Sequence, residues 1–129
     1  MSDWKTPLRL VEQLDKKGNI HEKGVKKLVS AVAEASELGD KLGCAEFIAF
    51  ATSAVRSAHN SEAVLDEVEK QTGVRLQILS GVEEAQLTFL SARRWYGWSA
   101  GRITNLDIGG GSLELSTGTD EHPDLAFSL

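Results

Sequence analysis

The stretch Leu106-Asp107-Ile108-Gly109-Gly110-Gly111-Ser112-Leu113-Glu114-Leu115 decides how the rest of the chain is organised. Two short runs flank three consecutive glycines, the pattern of antiparallel strands joined by a tight turn. Backbone amides without Cβ obstruction can converge on an anion as a nest. The loop joins two strands, so it is neither a P-loop nor a dinucleotide-binding turn, both of which lead from strand into helix. A plain hairpin, with glycine supplying left-handed angles, accounts for the same residues when the loop is taken alone. With 109–112 as the loop, Ile108 lies opposite Leu113 and Asp107 opposite Glu114. Opposed side chains share a face with Cβ atoms about 5 Å apart. Two carboxylates there repel unless a cation such as Mg2+ sits between them, or unless both simply face solvent.

Outward from the hairpin, the upstream residues alternate between strand and helix patterns. Residues 8–11 read as a short strand and 15–19 as a turn. Apolar residues at Val25, Leu28, Val29, Val32, Ala35, Leu38 and Leu42 recur at three- and four-residue spacing, predicting an amphipathic helix over 22–42 that stops near Gly43. Residues 46–51 (EFIAFA) are apolar enough for a buried strand, and 52–60 for a loop or strand end. Asn60 or Ser61 caps a helix closed by Gly73, and 74–79 is the next strand. Ser80-Gly81-Val82-Glu83 has capping-box spacing and opens a helix running to about Trp98. Beyond the 103–108 and 113–117 strands, 118–123 is a turn and 125–129 a further strand. Strand–helix alternation through Trp98 predicts a largely parallel α/β sheet with helical crossovers, and the hairpin marks an internal boundary near Gly101.

Composition narrows the function classes. The 129 residues carry a formal charge of −5, which argues against non-specific binding of nucleic acid or an anionic membrane. A small anionic substrate stays possible, because a few arginines, amides or a metal can hold one. Cys44 is the single cysteine, so no intrachain disulfide forms. No apolar run approaches the roughly 18 residues of a membrane span, and the opening Met1-Ser2-Asp3-Trp4-Lys5 lacks the apolar region of a signal peptide. A cytoplasmic location is the expectation.

Three further positions carry possible chemistry. Glu83, three residues after Ser80, folds back as the cap. Glu84 points about 100° further round the helix and is not needed for that job. Near an anion site it could take a proton from water as general base, although spacing alone fits a solvated glutamate better. Arg56 follows a buried strand in Ala51-Thr52-Ser53-Ala54-Val55-Arg56, and open parallel sheets bind ligands at such strand ends. Thr52 and Ser53 hydroxyls and the Arg56 fork could meet phosphate oxygens there, or Arg56 could be a surface ion-pair partner. His21, His59 and His122 lack metal-ligand spacing. Trp95, Tyr96 and Trp98 read as core or interface aromatics.

Taken together, the segments 51–56, Leu79-Ser80-Gly81-Val82-Glu83-Glu84-Ala85 and 106–115 resemble the exopolyphosphatase/guanosine pentaphosphate phosphohydrolase (Ppx/GppA) family in residues, order and separation. The resemblance implies an actin-like (ribonuclease H-like) fold of two lobes. Residues 1–98 would form lobe one without its opening phosphate-loop hairpin, and 101–129 the first strands of lobe two. It implies Mg2+-dependent release of terminal phosphate from polyphosphate, or conversion of guanosine pentaphosphate to tetraphosphate. It makes Glu84 the base, assigns substrate phosphate to Thr52, Ser53, Arg56, Gly109, Gly110, Gly111 and Ser112, and gives the metal to Asp107 and Glu114. Leu113 replaces a threonine usual in the family. Since actin-like lobes are internal repeats, the 103–117 hairpin is expected to dock into the vacant positions of the lobe-one sheet, in its own chain or exchanged within a homodimer. Two other outcomes are a non-catalytic phosphate-binding remnant of the family and an actin-like sugar kinase fragment. The Ser-Gly-x-Glu-Glu-Ala segment gives the sugar kinase little support.

Overall fold

The computed structural model describes residues 4–129. Met1–Asp3, part of the opening read as no signal peptide, lie outside the described residues. The chain forms two compact units, the first running to Ile78 and the second spanning Leu79–Leu129. Packing therefore divides the chain earlier than the change of pattern near Gly101.

The first unit is helical around a small parallel ladder. Its elements are α1 (Glu22–Lys41), β1 (Phe50–Ala51), α2 (Ser53–Arg56), α3 (Ser61–Thr72) and β2 (Gln77–Ile78). β1 and β2 pair in parallel, Phe50 opposite Gln77 and Ala51 opposite Ile78. The expected α1 stripe is present: Leu28 and Val32 are buried against Val64, Leu65 and Val68 of α3 in one apolar core with Leu10, Ile20, Val55 and Leu76. The far end of the stripe is not covered, and Leu42 is exposed.

Several local expectations change here. Residues 8–11 are not a strand. Arg9 is left-handed (φ 50°), which breaks an extended run, and a single 3-10 turn, Leu10–Gln13, follows it. The strand read over 46–51 shrinks to two residues, with Phe47, Ile48 and Phe50 exposed, because β2 is the one neighbour the ladder supplies among the described residues. Asn60 precedes α3 without capping it. Its amide instead clasps the Ile20 backbone, accepting from Ile20 N at 2.8 Å and donating to Ile20 O at 3.0 Å. The 15–19 turn is as expected, closed by Asp15, which accepts from Lys17 N and Asn19 N.

The second unit is one helix on one antiparallel sheet. α4 (Gly81–Tyr96) leads through a short 3-10 turn, Trp98–Ala100, to β3 (Ile103–Ile108), β4 (Leu113–Gly118) and β5 (Leu125–Ser128), in the order β3-β4-β5. The hairpin register is the expected one, with Asp107 opposite Glu114 and Ile108 opposite Leu113. Docking of this hairpin into the lobe-one sheet of its own chain is not seen. Among the described residues β3 and β4 pair with each other and with β5, and β1 pairs only with β2. β4 has a neighbour on each side, whereas the outer edges of β3 and β5 stay unpaired among the described residues.

α4 is seated by Ala85, Phe89 and Arg93, all fully buried on one stripe. Arg93 reaches the backbone oxygens of Gly97 (3.2 Å), Gly101 (2.7 Å) and Gly118 (2.9 Å) while stacked 5.7 Å from the Phe89 ring centroid. One guanidinium thus ties the helix end to both ends of the hairpin. Gly118 has to be glycine: a Cβ there would lie 2.9 Å from Pro123 Cα and 3.2 Å from Phe89 Cζ. Trp95, Tyr96 and Trp98 are not core. Trp95 is 84% exposed, because the α4 stripe that faces the sheet runs through Phe89 and Arg93.

Candidate active site

The α4 contacts fix which end of the sheet its first turn overlies. Arg93 meets Gly118 and Gly101, while Asn105 Nδ2 donates to Thr88 Oγ1 at 3.3 Å. The helix therefore runs antiparallel to β3. One turn before Thr88 is Glu84, about 6 Å along the helix, and two residues past Asn105 is Asp107, about 6.8 Å along the strand. Those advances nearly match, so Glu84 stands at the level of Asp107, at the end of the sheet that carries the glycine loop. Thr88 and Glu84 lie on the same flank of α4, and Thr88 Oγ1 also donates to Glu84 O at 3.0 Å.

The helix start is built as its sequence reads. Glu83 N donates to Ser80 Oγ at 3.2 Å and Ser80 N to Glu83 Oε2 at 2.8 Å, a complete capping box. Hydrogen bonds from the Ser80 side chain and then its amide hold the exposed Glu83 carboxyl below the usual glutamate range. Glu83 is thereby committed to the cap, and Glu84, half-buried beside it, is the carboxylate that reaches the flank.

Asp107, Glu114 and Ser128 form a row across β3, β4 and β5 on the sheet face beneath α4. Asp107 is half-buried, whereas Glu114 is 1% exposed and accepts from Ser128 Oγ at 2.8 Å. Ser116, the next residue on that face, is fully buried, and its hydroxyl has no hydrogen-bond partner. Beyond the row lies the loop. Gly109 N donates to Ser112 O at 3.1 Å, and the Ser112 hydroxyl is also buried without a partner. The left-handed glycines are Gly18, Gly43, Gly73, Gly97 and Gly101, so backbone conformation does not demand the 109–111 run. A Cβ at Gly109 would meet only Ser112 O, at an ordinary 3.6 Å. Close backbone approach by something outside the loop is the remaining physical reason for three exposed glycines.

The donor set suits a hard cation. Two carboxylates stand opposed, and the orphaned Ser112 hydroxyl lies at the loop next to them. No group of three or more His, Cys, Asp or Glu capable of holding a metal occurs among the described residues. Two carboxylates with the balance from water and phosphate oxygens is the arrangement Mg2+ favours, since it dehydrates reluctantly.

Thr52, Ser53 and Arg56 belong to the first unit. All three sit at α2, immediately after β1: Thr52 precedes the helix, Ser53 is buried and Arg56 half-buried. Arg56 N donates to Thr52 O at 2.9 Å, so these two residues are one turn apart on one face. The large cleft in this unit, about 740 Å3, has Thr52 on its wall but is otherwise mainly apolar, lined by Leu8, Leu28, Phe47, Phe50 and Val55, and does not suit a polyanion. The structure thus brings Glu84, Asp107, Glu114 and residues 109–112 to one end of the second unit, and Thr52, Ser53 and Arg56 to one turn of the first.

Comparison with known proteins gives the family. The model of the Ppx/GppA phosphatase family matches residues 1–129. The chain belongs to the Ppx/GppA phosphatase family. Exopolyphosphatase 1 of Mycobacterium leprae (strain TN) is 60% identical over 129 residues, covering all of this chain and 38% of that protein. Exopolyphosphatase 1 of Mycobacterium tuberculosis (strain ATCC 25618 / H37Rv) is 59% identical over the same length, again 38% of its own. A crystal structure of an exopolyphosphatase from Cytophaga hutchinsonii superposes with a TM-score of 0.81 at 26% identity, over 88% of this chain and 36% of that one. The Ppx/GppA family member from Aquifex aeolicus gives 0.79 at 24% identity, over 93% and 39%. The chain spans under two fifths of the length of these relatives, and it carries a corresponding part of the actin-like Ppx/GppA fold.

Sequence reasoning missed Ser128, Arg93 and the Asn105–Thr88 contact. Ser128 was within reach of it: alternation along β5 places a serine on the face of Glu114 once the 118–123 turn is counted. Arg93 gave no signal, because a guanidinium on a helix reads as surface until the three carbonyls it binds are known.

Proposed function

We propose that this chain supplies the catalytic carboxylates and one phosphate loop of a Mg2+-dependent phosphoanhydride hydrolase that removes the terminal phosphate from polyphosphate, guanosine pentaphosphate or both. The observation that carries this reading is the gathering of Glu84, the Asp107–Glu114 pair and the bare 109–112 loop at one end of the second unit. In this reading the loop amides hold the terminal phosphate, while Thr52, Ser53 and Arg56 bind further phosphate oxygens. Asp107 and Glu114 hold Mg2+, which would neutralise charge on the transferred group. Glu84 accepts a proton from water, the water oxygen bonds to phosphorus, and the P–O bond to the next phosphate breaks. The products are orthophosphate and a chain one phosphate shorter. Positioning and charge stabilisation dominate such transfers, and general-base assistance contributes about 10²–10⁴-fold.

The test is phosphate release from polyphosphate with Mg2+. Release by the 129-residue chain that falls at least 100-fold in Glu84→Gln supports the reading, and release unaffected by that substitution overturns Glu84 as base. The alternative outcome is phosphate binding without turnover. Polyphosphate binding that persists in Glu84→Gln, with no release from either protein, would select it. No helix among the described residues is long and apolar enough to cross a membrane.

A further inference from the structure

We infer that Ser128 is the positioning residue of Glu114, holding one carboxylate oxygen on β5 so that the other is left for a cation shared with Asp107. This rests on the metal role proposed for Glu114 and adds a residue to it. Leu113 and Leu129 exchange both backbone hydrogen bonds, at 3.1 and 2.9 Å. The next pair, Glu114 and Ser128, is therefore of the non-hydrogen-bonded kind, in which opposed Cα atoms approach to about 4.5 Å. Asp107 and Glu114 are one strand further along the same row. That spacing delivers the Ser128 hydroxyl to Glu114 Oε1 at 2.8 Å.

Burial makes the bond consequential. A carboxylate has about four lone-pair sites, and a neutral hydroxyl satisfies one of them. Among the described residues Ser128 is the side chain whose hydrogen bond Glu114 receives, and Glu114 is 1% exposed. So buried a carboxylate with one side-chain hydrogen bond is thinly satisfied, and a cation on the remaining oxygen would supply a further partner. Ser128 cannot ligate that cation with the same proton geometry it uses toward Glu114. Its part is to fix the rotamer and choose the oxygen. Groups behind a metal ligand typically alter metal affinity by about 10- to 100-fold.

The experiment is Mn2+ titration of the 129-residue chain, followed by the loss of free Mn2+ electron-spin resonance signal, for the wild type, Glu114→Gln, Ser128→Thr and Ser128→Val. Thr and Val have the same shape and both suit a strand, so they differ only in the hydroxyl, and urea midpoints without metal report any folding defect. The expected result is binding by the wild type, loss in Glu114→Gln, affinity within about 3-fold in Ser128→Thr, and about 10-fold weaker binding in Ser128→Val. Equal affinities for the Thr and Val variants would overturn the role of Ser128 while leaving the metal reading intact. A wild type that binds no Mn2+ would overturn both together.

Discussion

The two units bury opposite kinds of side chain. In the first, α1 and α3 close over Leu28, Val32, Val64, Leu65 and Val68, an apolar core in which no single residue dominates. In the second, α4 covers the sheet with Ala85 and Phe89 as its buried apolar contacts, beside a buried Arg93, Glu114 and Ser116. A small unit that places ionisable groups beneath its one helix accepts their desolvation, several kcal/mol per uncompensated ion, where leucine would have avoided it. Arg93 has a structural return in the three carbonyls it ties, whereas Glu114 and Ser116 lie in the part of the unit to which the proposed reading assigns the chemistry. The first unit supplies packing and, in the proposed reading, one phosphate-binding turn, and the second unit supplies charge.

The largest expected effect follows from that imbalance. Phe89→Ala removes the main buried apolar side chain of the second unit, a change of about 3–5 kcal/mol. Leu65→Ala in the first unit falls in a similar range, about 2–5 kcal/mol, but leaves the rest of an extended core to hold the fold. Hydrogen exchange read segment by segment should show Phe89→Ala deprotecting α4 and β3–β5 as a block. Leu65→Ala should raise exchange in α1 and α3 while both keep protection. Equal, partial loss of protection in the two units would break the contrast.

A smaller effect sharpens it. Arg93→Met keeps the length and apolar stem of the side chain and removes the fork that binds Gly97, Gly101 and Gly118. Hydrogen bonds from charged groups are worth about 1.5–3 kcal/mol in total effect, and part of this is returned because a buried charge is also removed. The expected result is a loss of about 2 kcal/mol in urea unfolding. Arg93→Lys should recover little, since an ammonium cannot span three carbonyls. Full recovery by lysine would mean that charge alone, not the fork, holds the turn.

The same contrast explains what could be read in advance. Period-3.6 spacing exposed α1, and the alternation around Gly109–Gly111 gave the hairpin and its Asp107–Glu114 pairing, because both are local patterns. The three motifs pointed to the family, whose model matches the whole chain. Non-local choices were illegible. Asn60 looks like a cap, yet its amide spans forty residues to the Ile20 backbone. Residues 46–51 are apolar enough for a long strand, but strand length depends on a neighbour, and among the described residues β2 offers only two pairs. The assignment of Glu83 to the cap and Glu84 to the flank was legible, because it depends only on the spacing from Ser80.

That assignment supports the smallest prediction, and its sign can be worked out. Hydrogen bonds from Ser80 lower the Glu83 carboxyl pKa in the folded chain. A lowered folded value gives a contribution fully present above the unfolded glutamate value of about 4.3, and lost as pH falls through the folded value. At pH 7, Ser80→Ala should destabilise the start of α4 by about 1 kcal/mol, the usual worth of an N-cap. As pH falls through the lowered Glu83 value, the Glu83 part of the cap is lost in the wild type, so the gap between the two proteins narrows. Glu83→Gln keeps a side chain that can accept from the Ser80 amide and no longer titrates. It should flatten the acid limb at the 81–84 amides while changing the neutral value little, as read by hydrogen exchange across pH 3–7. An unchanged acid limb in Glu83→Gln would overturn Glu83 as the titrating group.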